Sequence, residues 1–187
     1  RLRRCGMPGK FTIAAAGLLL AASVASAGDR KDLQVLKDIS KSVNGYSQFT
    51  IFDDVNANVN DGVVTLTGKV TMPYKRDDIA KRIAKVDGVR AVSDQIDVLP
   101  VSQFDDELRY RIARSIYNNS NFWSYAIMPN PPIHIVVEHG RVTLTGVVQS
   151  DVDRALARSL ATQFGALSVT NALKTDAEVN EALAKSE

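Results

Sequence analysis

The chain has 187 residues, 45% hydrophobic, 24% charged and 6% aromatic, the make-up of a folded globular protein rather than a disordered or collagen-like one. Its first 27 residues hold four cations and no acid, so residues 28–187 carry 19 basic against 21 acidic side chains, a net −2. That near-neutral balance excludes the basic footprint of sequence-independent nucleic-acid binding, and the position of the only cysteine, Cys5, leaves everything downstream without disulfides, cysteine zinc sites or a thiol nucleophile.

Residues 1–27 read as a secretory signal peptide: upstream arginines and Lys10, an uncharged Ala- and Leu-rich run from Phe11, and Ala25-Ser26-Ala27 as a cleavage site. Seventeen residues made largely of alanine fall short of the ~20 a membrane-spanning helix needs. The mature protein is therefore expected outside the cytoplasm, beginning near Gly28.

Val35, Ile39 and Val43 recur at helical spacing behind Asp32 and predict a first helix. Next, Val55, Ala57 and Val59 alternate toward Asp61-Gly62, and Val64, Leu66, Gly68 and Val70 alternate beyond it. This is a β-hairpin, with Thr65, Thr67 and Lys69 on the outer face. Gly68 interrupts a good strand and marks a bulge or a close backbone approach, expected here against a packed helix. Thr71 and Pro73 signal the start of a second helix, with Ile79, Ala80, Ile83 and Ala84 as its apolar stripe and Gly88 beyond its end. Val92, Asp94, Ile96 and Val98 close the unit as a strand.

The unit then repeats. Asp61 to Val70 matches His139 to Val148 at an offset of 78 with seven of ten residues identical. Val55, Ala57 and Val59 fall against Ile133, Ile135 and Val137. Leu108, Ile112 and Ile116 match the first helix, Leu156, Ala157, Leu160 and Ala161 the second, and Val169, Asn171 and Leu173 the closing strand. The fold class is α+β: two tandem α-β-β-α-β domains, each a small mixed sheet with two helices on one face. Residues 28–100 form domain 1, residues 101–175 domain 2, and residues 176–187 a charged tail. Units of this size bury only ~60% of their unfolded surface, so the helix-free sheet faces or the Leu99–Phe104 joint should bring the copies together.

Gly62-x-Val64-x-Leu66-x-Gly68-x-Val70 and Gly140-x-Val142-x-Leu144-x-Gly146-x-Val148, the alanine-bearing helix after each, and Gly88-Val89 before Val92-x-Asp94-x-Ile96 resemble the BON family, the bacterial osmotically-inducible and nodulation domain, in tandem exported form. The resemblance implies a periplasmic, non-enzymatic module tied to osmotic or envelope stress, phospholipid contact or binding of envelope proteins. It carries over no catalytic residue. Two positions depart from the pattern: Asp94 stands where the family favours Asn, which the second copy keeps as Asn171, and Gly165-Ala166 replaces Gly-Val.

No nucleophile, zincin or phosphate-loop pattern occurs in the chain. His134 and His139 fall on opposite sides of strand and turn, with His134 facing outward, so they predict no shared metal. Asp53-Asp54, Asp77-Asp78 and Asp105-Asp106 read as solvated acids near helix starts and loops. No metal or cofactor is expected.

Two stretches are candidates for contact with a lipid or partner. The second copy has five extra residues before its first strand, within Asn118 to Pro132, and there Phe122, Trp123, Tyr125, Ile127 and Met128 either cap the core or present a contact surface. The second helix of copy one carries Lys75, Arg76, Lys81, Arg82 and Lys85, which suit anionic headgroups. The expected partners are an anionic phospholipid surface or envelope proteins, the alternative being a chaperone-like adaptor without lipid affinity.

Overall fold

Each half of the chain builds the same unit, because the same alternation and the same helical stripes recur in it. The computed structural model describes residues 32–186, and the expected signal peptide lies outside them. The first unit runs α1 (Asp32–Asn44), β1 (Asp54–Asn60), β2 (Val63–Val70), α2 (Pro73–Ile83) and β3 (Ala91–Val98). The second runs α3 (Gln103–Tyr117), a short α4 (Trp123–Ala126), β4 (Ile133–Glu138), β5 (Arg141–Val148), α5 (Asp151–Ala161), β6 (Ser168–Asn171) and β7 (Lys174–Thr175). A terminal helix, α6 (Asp176–Ser186), follows.

In the first sheet, β2 pairs antiparallel with β1 and parallel with β3. In the second, β5 pairs antiparallel with β4 and parallel with both β6 and β7, which act as one interrupted strand. Val64, Leu66 and Val70 face Val35, Ile39, Ile79 and Ile83 of the helices as expected. The second core gathers Leu108, Ile112, Ile116, Ile133, Ile135, Val142, Leu144 and Ala157 in the same way.

Both hairpins turn on two residues with positive φ, Asp61-Gly62 and His139-Gly140, the type I′ geometry that matches strand twist. A carboxylate from the preceding helix holds each turn. Asp32 accepts from the amides of Asp61 and Gly62 at 2.8 and 3.1 Å, and Asp105 from those of His139 and Gly140 at 2.8 and 2.7 Å. Asp105 is therefore a buried clamp and not a solvated acid.

Gly68 and Gly146 correct another expectation. A Cβ on either would strike the neighbouring strand, not a helix: Asp54 O at 2.2 Å and Pro132 O at 1.8 Å, with φ of 122° and 113°. The cap of α2 also differs from its sequence signal. Pro73 does open the helix, but Met72 occupies the cap without a side-chain bond, because Thr71 is engaged elsewhere. Ser150 caps α5 by accepting from Asp153 N.

The closing strands explain Asp94 and Asn171. Each carboxyl or amide oxygen accepts from the amide two residues on, Ile96 and Leu173. Asn171 Nδ2 also donates to Arg154 O at 2.8 Å, which a carboxylate cannot do, whereas Asp94 lies 3.7 Å from Arg76 Nε.

The stretch read as a charged tail is helix α6. Thr175 Oγ1 accepts from Glu178 N, and Glu178 Oε2 accepts from Thr175 N at 2.8 Å, a reciprocal capping box. Arg154 of α5 donates to Glu178 and so fixes α6 to the second unit.

The repeats meet where residues 49–53 run along the outer edge of β4. Ile135 N donates to Ile51 O at 2.7 Å, and Phe52 sets its ring against Tyr110. On the helix-free face of β4, His134 contacts Phe49, Val136 is buried, and Glu138 pairs with Lys69. His134 is thus on the outer face, as its alternation requires, but the first repeat covers it.

Candidate functional site

The candidate contact residues divide sharply once placed. Lys75 lies on the α2 face that also carries Ile79 and Ile83, and it is buried with them. Its Nζ donates to Asp53 Oδ2 at 2.7 Å and to Thr71 Oγ1 at 2.8 Å. Asp53 also accepts from the amide and hydroxyl of Thr71 and from those of Thr50. Burial pushes the Asp53 carboxyl up, but these donors, Lys75 first among them, hold it below the ordinary carboxylate range. Lys75 is therefore withdrawn as a headgroup contact, and Asp53 is not a solvated acid.

The other α2 cations behave differently. Arg76 reaches toward Asp77 and Asp94. Lys81, Arg82 and Lys85 are exposed, and Arg82 lies over the Tyr46 ring at 4.8 Å from its centroid. Tyr46 donates to Asp78 Oδ2 at 2.7 Å, and burial together with that carboxylate raises its hydroxyl to about 12.

The aromatic insertion does two jobs. Phe122 is fully buried in the second core, and Tyr125 stacks on it while its hydroxyl accepts from Gln149 N at 2.8 Å. These two cap the core and present no contact surface to a lipid or partner. Trp123 and Ile127 remain 68% and 66% exposed, and Met128 42%. A helical turn explains the split: Phe122 and Tyr125 are three apart and share one side, leaving Trp123 on another.

The insertion also reaches the first repeat. Asn130 Nδ2 donates to Asn44 O, two residues before Tyr46, which carries Arg82. Between the repeats lies a mostly apolar cleft of about 660 Å³, with α1 and β1 on one side and Pro131, Val147 and Val179 on the other. Its polar groups include His134, Thr145 and Lys174. His134 Nδ1 lies 2.6 Å from Asp53 O, and since a carbonyl only accepts, that nitrogen carries the proton.

Sequence reasoning missed the Asp53–Lys75 pair and the Asp32 and Asp105 clamps. Signals for both existed. Lys75 stands four residues before Ile79 on the buried stripe, and an aspartate stands three residues before the first stripe residue, Val35 or Leu108, in both copies.

Among the described residues, no three His, Cys, Asp or Glu side chains gather in a way that could hold a metal ion. No helix among them is long and apolar enough to cross a membrane. The geometry defines a tandem α+β repeat whose recurrent residues form turns, clamps and packing. The chain belongs to the BON domain family, whose model matches residues 32–100 and 105–177. Two solved structures are similar in part, both of CdsD, a structural protein of the type III secretion system of Chlamydia trachomatis. One is 12% identical with a TM-score of 0.30, covering 78% of this chain and 97% of that one. The other, its C-terminal domain, is 13% identical with a TM-score of 0.27, covering 78% and 99%. No curated protein matches the chain.

Proposed function

We propose that this BON domain protein is a non-enzymatic periplasmic module that binds anionic phospholipid surfaces and so supports envelope integrity under stress. The observation that carries the reading is the exposure of Trp123, Ile127 and Met128 on one short insertion, tethered by Asn130 to Asn44 of the first repeat. Neighbouring large apolar side chains left in water mark a contact surface rather than ordinary exposure. Tryptophan suits the boundary between headgroups and hydrocarbon, and Lys81, Arg82 and Lys85 supply charge that attracts acidic lipid. Such peripheral binding is weak and sensitive to salt.

Co-sedimentation with phosphatidylcholine vesicles, with and without phosphatidylglycerol, tests this. Binding that needs phosphatidylglycerol, fades at high salt and falls in Trp123→Ser supports the reading. Equal recovery in the supernatant with both vesicles overturns it and favours the protein-only adaptor.

A further inference from the structure

The two repeats treat the outer edge of their first strand in opposite ways. In a hairpin with a two-residue turn, the residues flanking the turn form a hydrogen-bonded pair, and pairing then alternates along the strand. Hence Glu138, Val136 and His134 bond inward to β5, while Val137, Ile135 and Ile133 present their backbone groups outward. All three of these receive a partner. Val137 O accepts from Arg109 at 2.6 Å, Ile135 N donates to Ile51 O at 2.7 Å, and Ile133 O accepts from the Tyr117 hydroxyl.

The same rule applied to β1 sends Asn60, Asn58, Asn56 and Asp54 inward and leaves Val59, Ala57 and Val55 facing outward. Where the second repeat has Arg109 and Tyr117, the first has Leu36 and Asn44, and Leu36 offers no hydrogen bond. Among the described residues nothing bonds the outward amides and carbonyls of Val55, Ala57 and Val59. Such an edge is a template for another strand.

That edge is one wall of the inter-repeat cleft, which Val55 and Ala57 line. We infer that the β1 edge is a strand-addition site for an extended segment of another protein with alternating apolar and small polar residues. The two sides of the cleft set this pattern. Residues paired with Val55, Ala57 and Val59 would turn their side chains toward Leu36 and Val43 of α1. The residues between them would face the helix-free side of the second sheet, where the Thr145 hydroxyl is buried without a partner. The flanking α1 and second repeat favour one slender strand over the edge of a whole second sheet. Main-chain bonds would supply affinity and the alternation specificity. This site lies on the first repeat and does not rest on the lipid reading.

The test uses the full chain and a library of end-blocked seven-residue peptides, with valine, isoleucine, leucine or phenylalanine alternating with threonine. In the free protein, hydrogen exchange at Val55, Ala57 and Val59 should be fast while that at Asn56 and Asn58 is slow. Retained peptides should slow the first three. Ala57→Pro removes an outward N–H that an edge strand can spare, so it should leave the fold intact and weaken retained peptides by about tenfold, the order of one lost backbone hydrogen bond. A second readout needs no mutation: methylating alternate peptide nitrogens should abolish binding in one phase and spare it in the other. Retention of no peptide, or equal retention by Ala57→Pro, overturns the inference. So does slow exchange at all three amides in the free protein. If that slowness vanishes on dilution, a second copy holds the edge; if it persists, the protection is intramolecular.

Discussion

Lys75 Nζ lies 2.7 Å from Asp53 Oδ2, with both side chains sealed from solvent. The pair is peculiar to the first repeat, since the residue matching Lys75 is Val152, which is exposed. It also reaches beyond its own repeat. The Asp53 carbonyl accepts a hydrogen bond from His134 Nδ1, so one residue both anchors α2 and borders the junction of the two units.

Removing one partner should cost far more than removing both. Lys75→Ala leaves a buried carboxylate uncompensated and should lower unfolding free energy by about 3–5 kcal/mol. Combining Asp53→Asn with Lys75→Met should recover part of that loss, because neither charge is then buried, while the new amide NH2 faces the Thr50 or the Thr71 backbone donor and keeps the rest. Urea unfolding followed by circular dichroism measures both, and equal losses would contradict the coupling.

The same pair sets an acid dependence. The carboxyl of Asp53 titrates below its ordinary 3.8 in the folded chain, so on acidification the unfolded chain takes up that proton first. Its contribution is complete above roughly pH 5 and drains away as pH falls through the lowered folded value. Denaturation midpoints between pH 7 and 2 should therefore fall less steeply in Asp53→Asn than in the native chain.

Adjacent aromatics should give opposite results. Phe122→Ala empties a fully buried position and should cost about 3–5 kcal/mol. Trp123→Ser should change stability by less than about 0.5 kcal/mol, as exposed substitutions do, while reducing vesicle binding. Thermal unfolding and co-sedimentation on the same two variants read the contrast.

Gly146→Ala tests the strand approach. The new methyl would meet Pro132 O at 1.8 Å in a backbone with φ of 113°, so the strands must separate. The cost should exceed the roughly 1–3 kcal/mol of backbone strain alone. Gly165→Ala meets nothing within 4 Å and should show only the strain of its left-handed conformation. Denaturant titration of the two variants checks the order.

Much of the fold was legible because strand and helix announce themselves by period. Val64, Leu66 and Val70 alternate, Ile79 and Ile83 keep the helical step, and the second copy confirmed both patterns. The candidate site was only half legible. Lys75 and Lys81 look alike as cations on one helix, yet one sits in line with Ile79 and Ile83 and the other does not. Phe122 and Trp123 are both large aromatics on an insertion without periodic neighbours, so nothing local told them apart.

By itself the sequence determined the repeat, its element order and the faces of its strands and helices, since these follow from interactions between residues close in the chain. Only the tertiary structure decided that His134 is covered, that Asp53 is a buried acceptor for Lys75, and that outward backbone groups of β4 find partners while, among the described residues, those of Val55, Ala57 and Val59 on β1 do not. Those outcomes depend on backbone and side-chain groups distant in sequence meeting at hydrogen-bond range. Spacing can mark Lys75 as lying on a buried stripe, but it does not name the distant group that meets it there.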